Sequence, residues 1–270
     1  MKKYLYGFIG CGNMGGTLAR AIAKKVGGNS VAVCDYDTQK TESLKKDYGV
    51  CVENLIELAK NSKFVVLGVK PQVIKSVCNE LATAVENSSE TVIISMAAGV
   101  DIATIQSYLG EKFIGGIIRI MPNTPCILGE GMVLYSTMGA SNDDKEQFIA
   151  DFSVTGLLDE IDEKDMDAAG ALSGCGPAFV YYFAESLIDG VVACGIQEDK
   201  AKAYAIQTLL GAAKMLCGEE SPRELREKVC SPNGTTLAGL SVLEKGDFKK
   251  LIASTVDASY RRSLELKKQD

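Results

Sequence analysis

The sequence predicts an α/β fold: an N-terminal, doubly wound, mostly parallel sheet followed by an all-helical C-terminal domain. Three observations predict it. Up to residue 163, short apolar runs alternate with amphipathic helical patterns, the rhythm of a parallel sheet covered on both faces. A Gly-x-Gly-x-x-Gly turn, Gly10, Gly12 and Gly15, joins the first apolar run to the first helical pattern. Beyond Glu163 the strand signals stop and helical stretches run to the end. The expected partition is therefore 1–163 and 164–270. No Pro/Ser-rich linker separates the two parts, which predicts a tight junction.

The elements follow in order. Strands are expected at 4–9, 30–34, 64–69, 91–95 and 114–121, nearly all apolar because both faces are buried. Helices are expected between them at 14–25, 39–47, 55–60, 71–85 and 102–109. Residues 130–136 and 157–162 read as two more strands that close the sheet. In the second half, helices are expected at 178–194, 199–215, 222–230, 236–244 and 247–267. The last presents Phe248, Leu251, Ile252, Thr255, Val256 and Tyr260 as a stripe at i, i+3, i+4 spacing.

Composition removes several function classes. The 270 residues carry a net charge of −6 with both signs interspersed, so the basic surface that nucleic acid requires is missing. The most apolar helical stretch, 178–194, carries Glu185 and Asp189 and is too short to span a bilayer, so no membrane association is expected. The nine cysteines form no Cys-x-x-Cys pair and there is no histidine, which argues against zinc and for reduced thiols in a cytoplasmic protein. The N-terminus passes directly into a strand pattern, without the look of a secretory leader.

The glycine turn carries the first chemistry. Residues Ile9, Gly10, Cys11, Gly12, Asn13 and Met14 lie where a strand passes into a helix. There the first glycine allows the turn, the second lets a pyrophosphate approach the backbone, and the third lets helix and strand pack closely. This is the cradle of a Rossmann-type dinucleotide domain. Asp35 ends the second strand, 25 residues after Gly10. A carboxylate there suits a ribose with a free 2′-hydroxyl and tilts the cofactor, NADPH or NADH, toward NADH; Lys40 could favour a phosphate. Gly68, Val69, Lys70 and Pro71 close a later strand, with Pro71 placed to open a helix. Met96, Ala97, Ala98 and Gly99 close the next, and small side chains there would let a nicotinamide lie flat. Arg119 either holds a phosphate or braces its turn, and bracing is the favoured reading. Cys175 has no base residue beside it, so it is not expected to act as a nucleophile.

A second polar patch interrupts the helical half: Ser231, Pro232, Asn233, Gly234, Thr235 and Thr236. It reads either as a helix cap or as a site where free backbone N–H groups and hydroxyls meet an anion.

These segments together resemble the pyrroline-5-carboxylate reductase family. The resemblance rests on the glycine turn, Val69-Lys70-Pro71, 95–99, the block Arg119-Ile120-Met121-Pro122-Asn123-Thr124-Pro125, the block 171–178, and 231–236 with Leu240. It implies hydride transfer from NAD(P)H to a small-molecule cyclic imine, giving L-proline. It also implies self-association through the helical domain, as a dimer or a ring of dimers, with the active site between the nicotinamide and the helical domain of the dimer. Carried over by position, the cofactor contacts would be Ile9, Gly10, Cys11, Gly12, Asn13, Met14, Asn54, Gly68, Val69, Lys70, Pro71, Met96, Ala97 and Ala98. Substrate contacts would be Ser231, Gly234, Thr235 and Thr236, with Glu163 and Glu219. Ser231 and Thr236 carry the catalytic expectation, Thr236 bonding the ring nitrogen. Two rivals stand beside this reading. One is a β-hydroxyacid dehydrogenase using Lys70 as proton donor, the other a non-catalytic nicotinamide-binding protein.

Overall fold

The computed structural model describes residues 2–267. Packing divides the chain into two compact units, one of 1–175 with 259–270, the other of 176–258.

The first unit is a three-layer α/β/α sandwich. In chain order it contains β1 (Tyr4–Ile9), α1 (Asn13–Val26), β2 (Val31–Cys34), α2 (Thr38–Tyr48), β3 (Cys51–Val52), α3 (Leu55–Asn61), β4 (Ser62–Leu67), α4 (Pro71–Val85), β5 (Val92–Ser95), α5 (Ile102–Leu109), β6 (Gly116–Met121), β7 (Gly131–Met138), α6 (Asn142–Phe152), β8 (Gly156–Glu160) and α7 (Met166–Ser173). The eight strands lie in the order β3-β2-β1-β4-β5-β6-β7-β8. All pairs are parallel except β6 with β7. The chain order reverses between β1 and β4, the point where open α/β sheets bind ligands.

The expected mostly parallel sheet is therefore present, with 130–136 and 157–162 as its last two strands. Alternate strand residues feed opposite cores, as period-2 geometry requires. Tyr6, Phe8, Phe64, Val66 and Ile94 pack with Leu18 and Ile22 of α1 and Phe148 and Phe152 of α6. On the other face, Val65, Leu67 and Ile93 pack with Leu58 of α3, Ile74 and Leu81 of α4 and Ile105 of α5. Three elements differ from the sequence reading. β3 has two residues, too few to show a period. α6 is charge-rich and was not expected, although Ser141 caps it by accepting from the Asp144 N–H. α7 is built from small residues around Gly170, which dilutes the apolar signal.

The second unit is helical: α8 (Gly176–Ala193), α9 (Glu198–Leu216), α10 (Pro222–Lys228), α11 (Thr235–Lys245) and the first part of α12 (Phe248–Lys267). Among its described residues Ala201 and Ala205 are the only buried hydrophobic side chains. Tyr181, Tyr182, Ile206, Leu210, Met215, Val242 and Leu251 are exposed. Helices that bury so little need another apolar surface to cover them. Among the described residues no helix is long and apolar enough to cross a membrane.

Candidate active site

Sheet register builds the first part of the site. Ile9 pairs with both Cys34 and Leu67, and Leu67 pairs with Ser95. Gly10, Asp35, Gly68 and Met96 are each the next residue, so all four leave the sheet at one carboxyl edge. Backbone bonds tie them: Gly10 N–H donates to the Cys34 carbonyl at 2.8 Å and Gly68 N–H to the Ile9 carbonyl at 2.8 Å. Gly10 has φ +95°, a conformation that favours glycine.

The cradle is tightest where its backbones cross. A Cβ on Gly15 would lie 2.1 Å from the Gly10 carbonyl oxygen, and one on Gly68 would lie 2.6 Å from the same atom. Gly12 differs: among the described residues nothing lies within 4 Å of its Cβ position, and its φ of −67° asks for no glycine. Space is thus open above the N-terminus of α1, where unpaired N–H groups and the helix dipole favour an anion. The adjoining cleft, about 430 Å³, is lined by Cys11, Gly12, Asn13, Met14, Thr17, Arg20, Lys40, Thr124 and Ile127. A pyrophosphate suits these residues. Arg20 and Thr124 were missed as cleft residues. Arg20 stands one turn after Gly16 on α1, with its guanidinium folded back to 3.8 Å from the Gly16 Cβ position, so helical spacing from the loop was the available signal.

Asp35 is held rather than free. Its Oδ2 accepts from the Cys11 N–H at 2.6 Å and its Oδ1 from the Asp37 N–H at 2.9 Å. Lys40 pairs with Asp37 at 3.3 Å. Burial, then the Asp35 charge, push the Cys11 thiol up to about 12, so it is not a nucleophile at neutral pH. Pro71 opens α4 at its first position, with exposed Lys70 as the N-cap residue. Val69 and Met96 are half-buried, Ala97 is buried and Ala98 is exposed. Asn54 caps α3, its Oδ1 accepting from Glu57 N–H at 3.0 Å.

Arg119 braces. It is 1% exposed, with Nη1 3.3 Å from Glu163 Oε1 and Nη2 3.5 Å from Asp167 Oδ1. Glu163 therefore stands in the first unit, where its Oε1 also accepts from the Ile102 N–H at 2.7 Å. Asn123 explains part of the Met-Pro-Asn-Thr-Pro block: its amide donates to the Ser173 carbonyl and its Oδ1 accepts from Met132 N–H. This ties the end of β6 to β7 and to the last turn of α7.

The second unit holds the other patch. Gly234 is the N-cap residue of α11, and no side chain caps that end. Ser231, Thr235 and Thr236 are exposed beside it, and Glu219 is exposed in the turn after α9. The left-handed residue is Asn233, at φ 57°, whereas Gly234 has φ −77°. Conformational freedom thus does not explain Gly234. A Cβ there would lie 2.3 Å from Ser231 Oγ and 3.0 Å from the Ser231 carbonyl oxygen, a crowding that rotation of the exposed Ser231 side chain largely relieves. With no side-chain cap, the N–H groups of the first turn of α11 have no internal acceptor among the described residues.

Comparison with known proteins agrees along the whole chain. Residues 163–266 match the pyrroline-5-carboxylate reductase dimerisation family, and residues 5–99 match the family described as NADP oxidoreductase, coenzyme F420-dependent. A pyrroline-5-carboxylate reductase of Arabidopsis thaliana is 35% identical, covering 98% of this chain and 96% of that protein. One of Synechocystis is 38% identical, covering 97% and 98%. A crystal structure of the Plasmodium falciparum pyrroline carboxylate reductase with NADP bound shares 33% identity and a TM-score of 0.87, covering 99% of each chain. With a glycine cradle, an uncapped helical turn and full-length kinship of this degree, the chain belongs to the pyrroline-5-carboxylate reductase family.

Proposed function

We propose that this chain reduces the C=N bond of 1-pyrroline-5-carboxylate with NADPH or NADH to give L-proline, the last step of proline biosynthesis. The observation that carries the reading is kinship to such reductases over 98% of the chain. In this reading residues 1–163 serve the dinucleotide and 164–270 serve substrate and self-association, as a dimer or a ring of dimers. The exposed apolar side chains of the second unit supply the surface for that association. Nine free thiols support a cytoplasmic setting.

The bound nicotinamide cofactor supplies the hydride. Gly12, Asn13 and Met14 hold its pyrophosphate through backbone N–H groups, and Ile9, Gly10 and Cys11, whose own N–H groups serve the sheet and Asp35, shape the turn against it; Gly68, Val69, Lys70, Pro71, Met96, Ala97 and Ala98 form the floor for the nicotinamide. Asn54 lines the adenosine side. Asp35, fixed by two N–H donors, keeps lone pairs for a ribose 2′-hydroxyl and repels a 2′-phosphate. Lys40 is already paired with Asp37 and offsets this only in part. The held Asp35 carboxylate thus supports a preference for NADH.

The imine's carboxylate is taken by the N–H groups of Thr235 and Thr236 with Ser231, and Gly234 leaves the approach clear. Glu219 stands near this bend in sequence and is proposed as a further substrate contact. A cyclic imine enters protonated at nitrogen, so its reduction leaves a neutral amine and needs no strong acid from the protein. Thr236 Oγ1 orients that nitrogen. A chain without histidine thereby acts through orientation and placed charge, effects worth up to roughly 7–11 kcal/mol for positioning alone. Steady-state oxidation of NADH and NADPH, with the imine and with β-hydroxy acids, tests the reading: turnover is expected with the imine only.

A further inference from the structure

We propose that Glu163, held by Arg119, is a positioning residue for the nicotinamide floor rather than a contact of the imine. The inference rests on the reading of residues 96–98 as that floor. Inside the segment 96–101 the backbone is loosely tied. Met96 N–H reaches the Leu67 carbonyl at 3.4 Å, Ala97 N–H the Ser95 hydroxyl at 3.4 Å, and Val100 N–H the Ala97 carbonyl at 3.4 Å. Contacts of that length are weak. Its exit is held far more firmly. Asp101 Oδ1 accepts from Thr104 N–H at 2.8 Å, and Glu163 Oε1 accepts from Ile102 N–H at 2.7 Å. Two carboxylates therefore grip the first turn of α5, where the helix dipole favours negative charge.

Glu163 reaches this turn from a distant part of the chain, 61 residues on. What holds it there is a buried cation. Arg119 has no solvent of its own, and its Nε and Nη2 find no hydrogen-bond acceptor among the described residues. Its charge is balanced by Glu163 at 3.3 Å and by Asp167 at 3.5 Å, and Asp167 is in turn paired with Lys267 at the end of α12. A buried guanidinium with so few donors satisfied depends on each of its anions. The same pairing that stabilises Arg119 thus fixes the Glu163 carboxylate on the α5 N–H. Sequence spacing gives no hint of this arrangement, because β6, the turn before α7 and α5 meet only in the folded sheet.

The test separates positioning from substrate contact. Cofactor Kd is measured by calorimetry with NADH and no imine present, and kcat and the imine KM are measured separately. Glu163→Ala is expected to raise the NADH Kd roughly tenfold, the worth of one lost hydrogen bond to an anion, and to lower kcat. The imine KM is expected to stay within about twofold of the parent's. Glu163→Gln keeps an oxygen for the Ile102 N–H and is expected to restore most of the affinity. Should Glu163→Ala fail to fold, Ile102→Pro answers the same question. It removes the donor and leaves the acid, and Asp101 before it is already extended at ψ 171°, as a residue preceding proline must be. This variant is expected to weaken NADH binding as Glu163→Ala does. A raised imine KM with unchanged NADH Kd in Glu163→Ala overturns the proposal, as does parental NADH affinity in Ile102→Pro. If NADH affinity responds as stated while no variant and no parent reduces the imine, the reductase reading fails and the positioning role stands.

Discussion

Gly12 and Gly15 belong to one motif, yet the structure assigns them opposite sensitivities to an added methyl group. On Gly15 a Cβ would sit 2.1 Å from a backbone carbonyl oxygen, against an ordinary contact of 3.4 Å. Helix α1 would have to move by the difference, about 1.3 Å, in a layer that is closely packed on the sheet. Overpacking of that kind costs roughly 1–3 kcal/mol or more, so Gly15→Ala is expected to lower the Tm by several degrees, roughly 6–12 °C at the upper figure. On Gly12 the methyl group meets open space at an ordinary φ. A small loss at the N-cap and a small gain from a stiffer unfolded chain roughly cancel, leaving about 0.5 kcal/mol or less. In the proposed cofactor placement, however, the pyrophosphate occupies that space. A methyl group there separates the pyrophosphate from at least one charge-assisted N–H bond, worth about 1.5–3 kcal/mol, which corresponds to a Kd raised roughly 10- to 150-fold. Calorimetric titration with NADH and a thermal melt on both variants provide the assay. Parental NADH affinity in Gly12→Ala would refute the placement of the pyrophosphate. A large drop in its Tm would refute the packing argument.

Two further expectations follow from named carboxylates. Asp35→Ser should soften the preference for NADH, read as the ratio of kcat/KM for NADH and NADPH, and a parent that prefers NADPH contradicts the role given to Asp35. Asp101 bears on acid stability: burial raises its carboxyl, but the Thr104 hydrogen bonds and the charges of Lys267 and Arg119 outweigh this and hold it below its usual range. Stability from a lowered carboxyl is present above the unfolded value, about 3.9 for aspartate, and is lost as pH falls through the folded one. Asp101→Asn should therefore flatten the loss of stability below about pH 4, and an unchanged acid limb in urea titrations contradicts it.

Much of this was legible in the sequence because it depends on local signals. β1 and the helices 71–85 and 102–109 have the expected bounds, since a strong apolar period or a first-turn proline marks them. Gly10, Asp35, Gly68 and Met96 could each be picked out as residues that end a strand. Their alignment at one edge came from register, which sequence does not state. The bend at 231–236 was visible from composition, but its left-handed residue proved to be Asn233 rather than the glycine beside it. Arg119 was read as a brace. Its partners Glu163 and Asp167 were out of reach, since pairing across 44 residues or more is decided by the topology of the sheet.

In the proposed reading the bend before α11 grips the carboxylate of a cyclic imine and turns its nitrogen toward Thr236. Imine-dependent oxidation of NADH by the parent and by Thr236→Ala, with NADH affinity measured in parallel, tests it most directly. Saturable turnover is expected in the parent, with at least an order of magnitude less in the variant and nearly equal NADH Kd values, as when an interaction made only with the reacting substrate is removed. Equal imine turnover by the two proteins would contradict it.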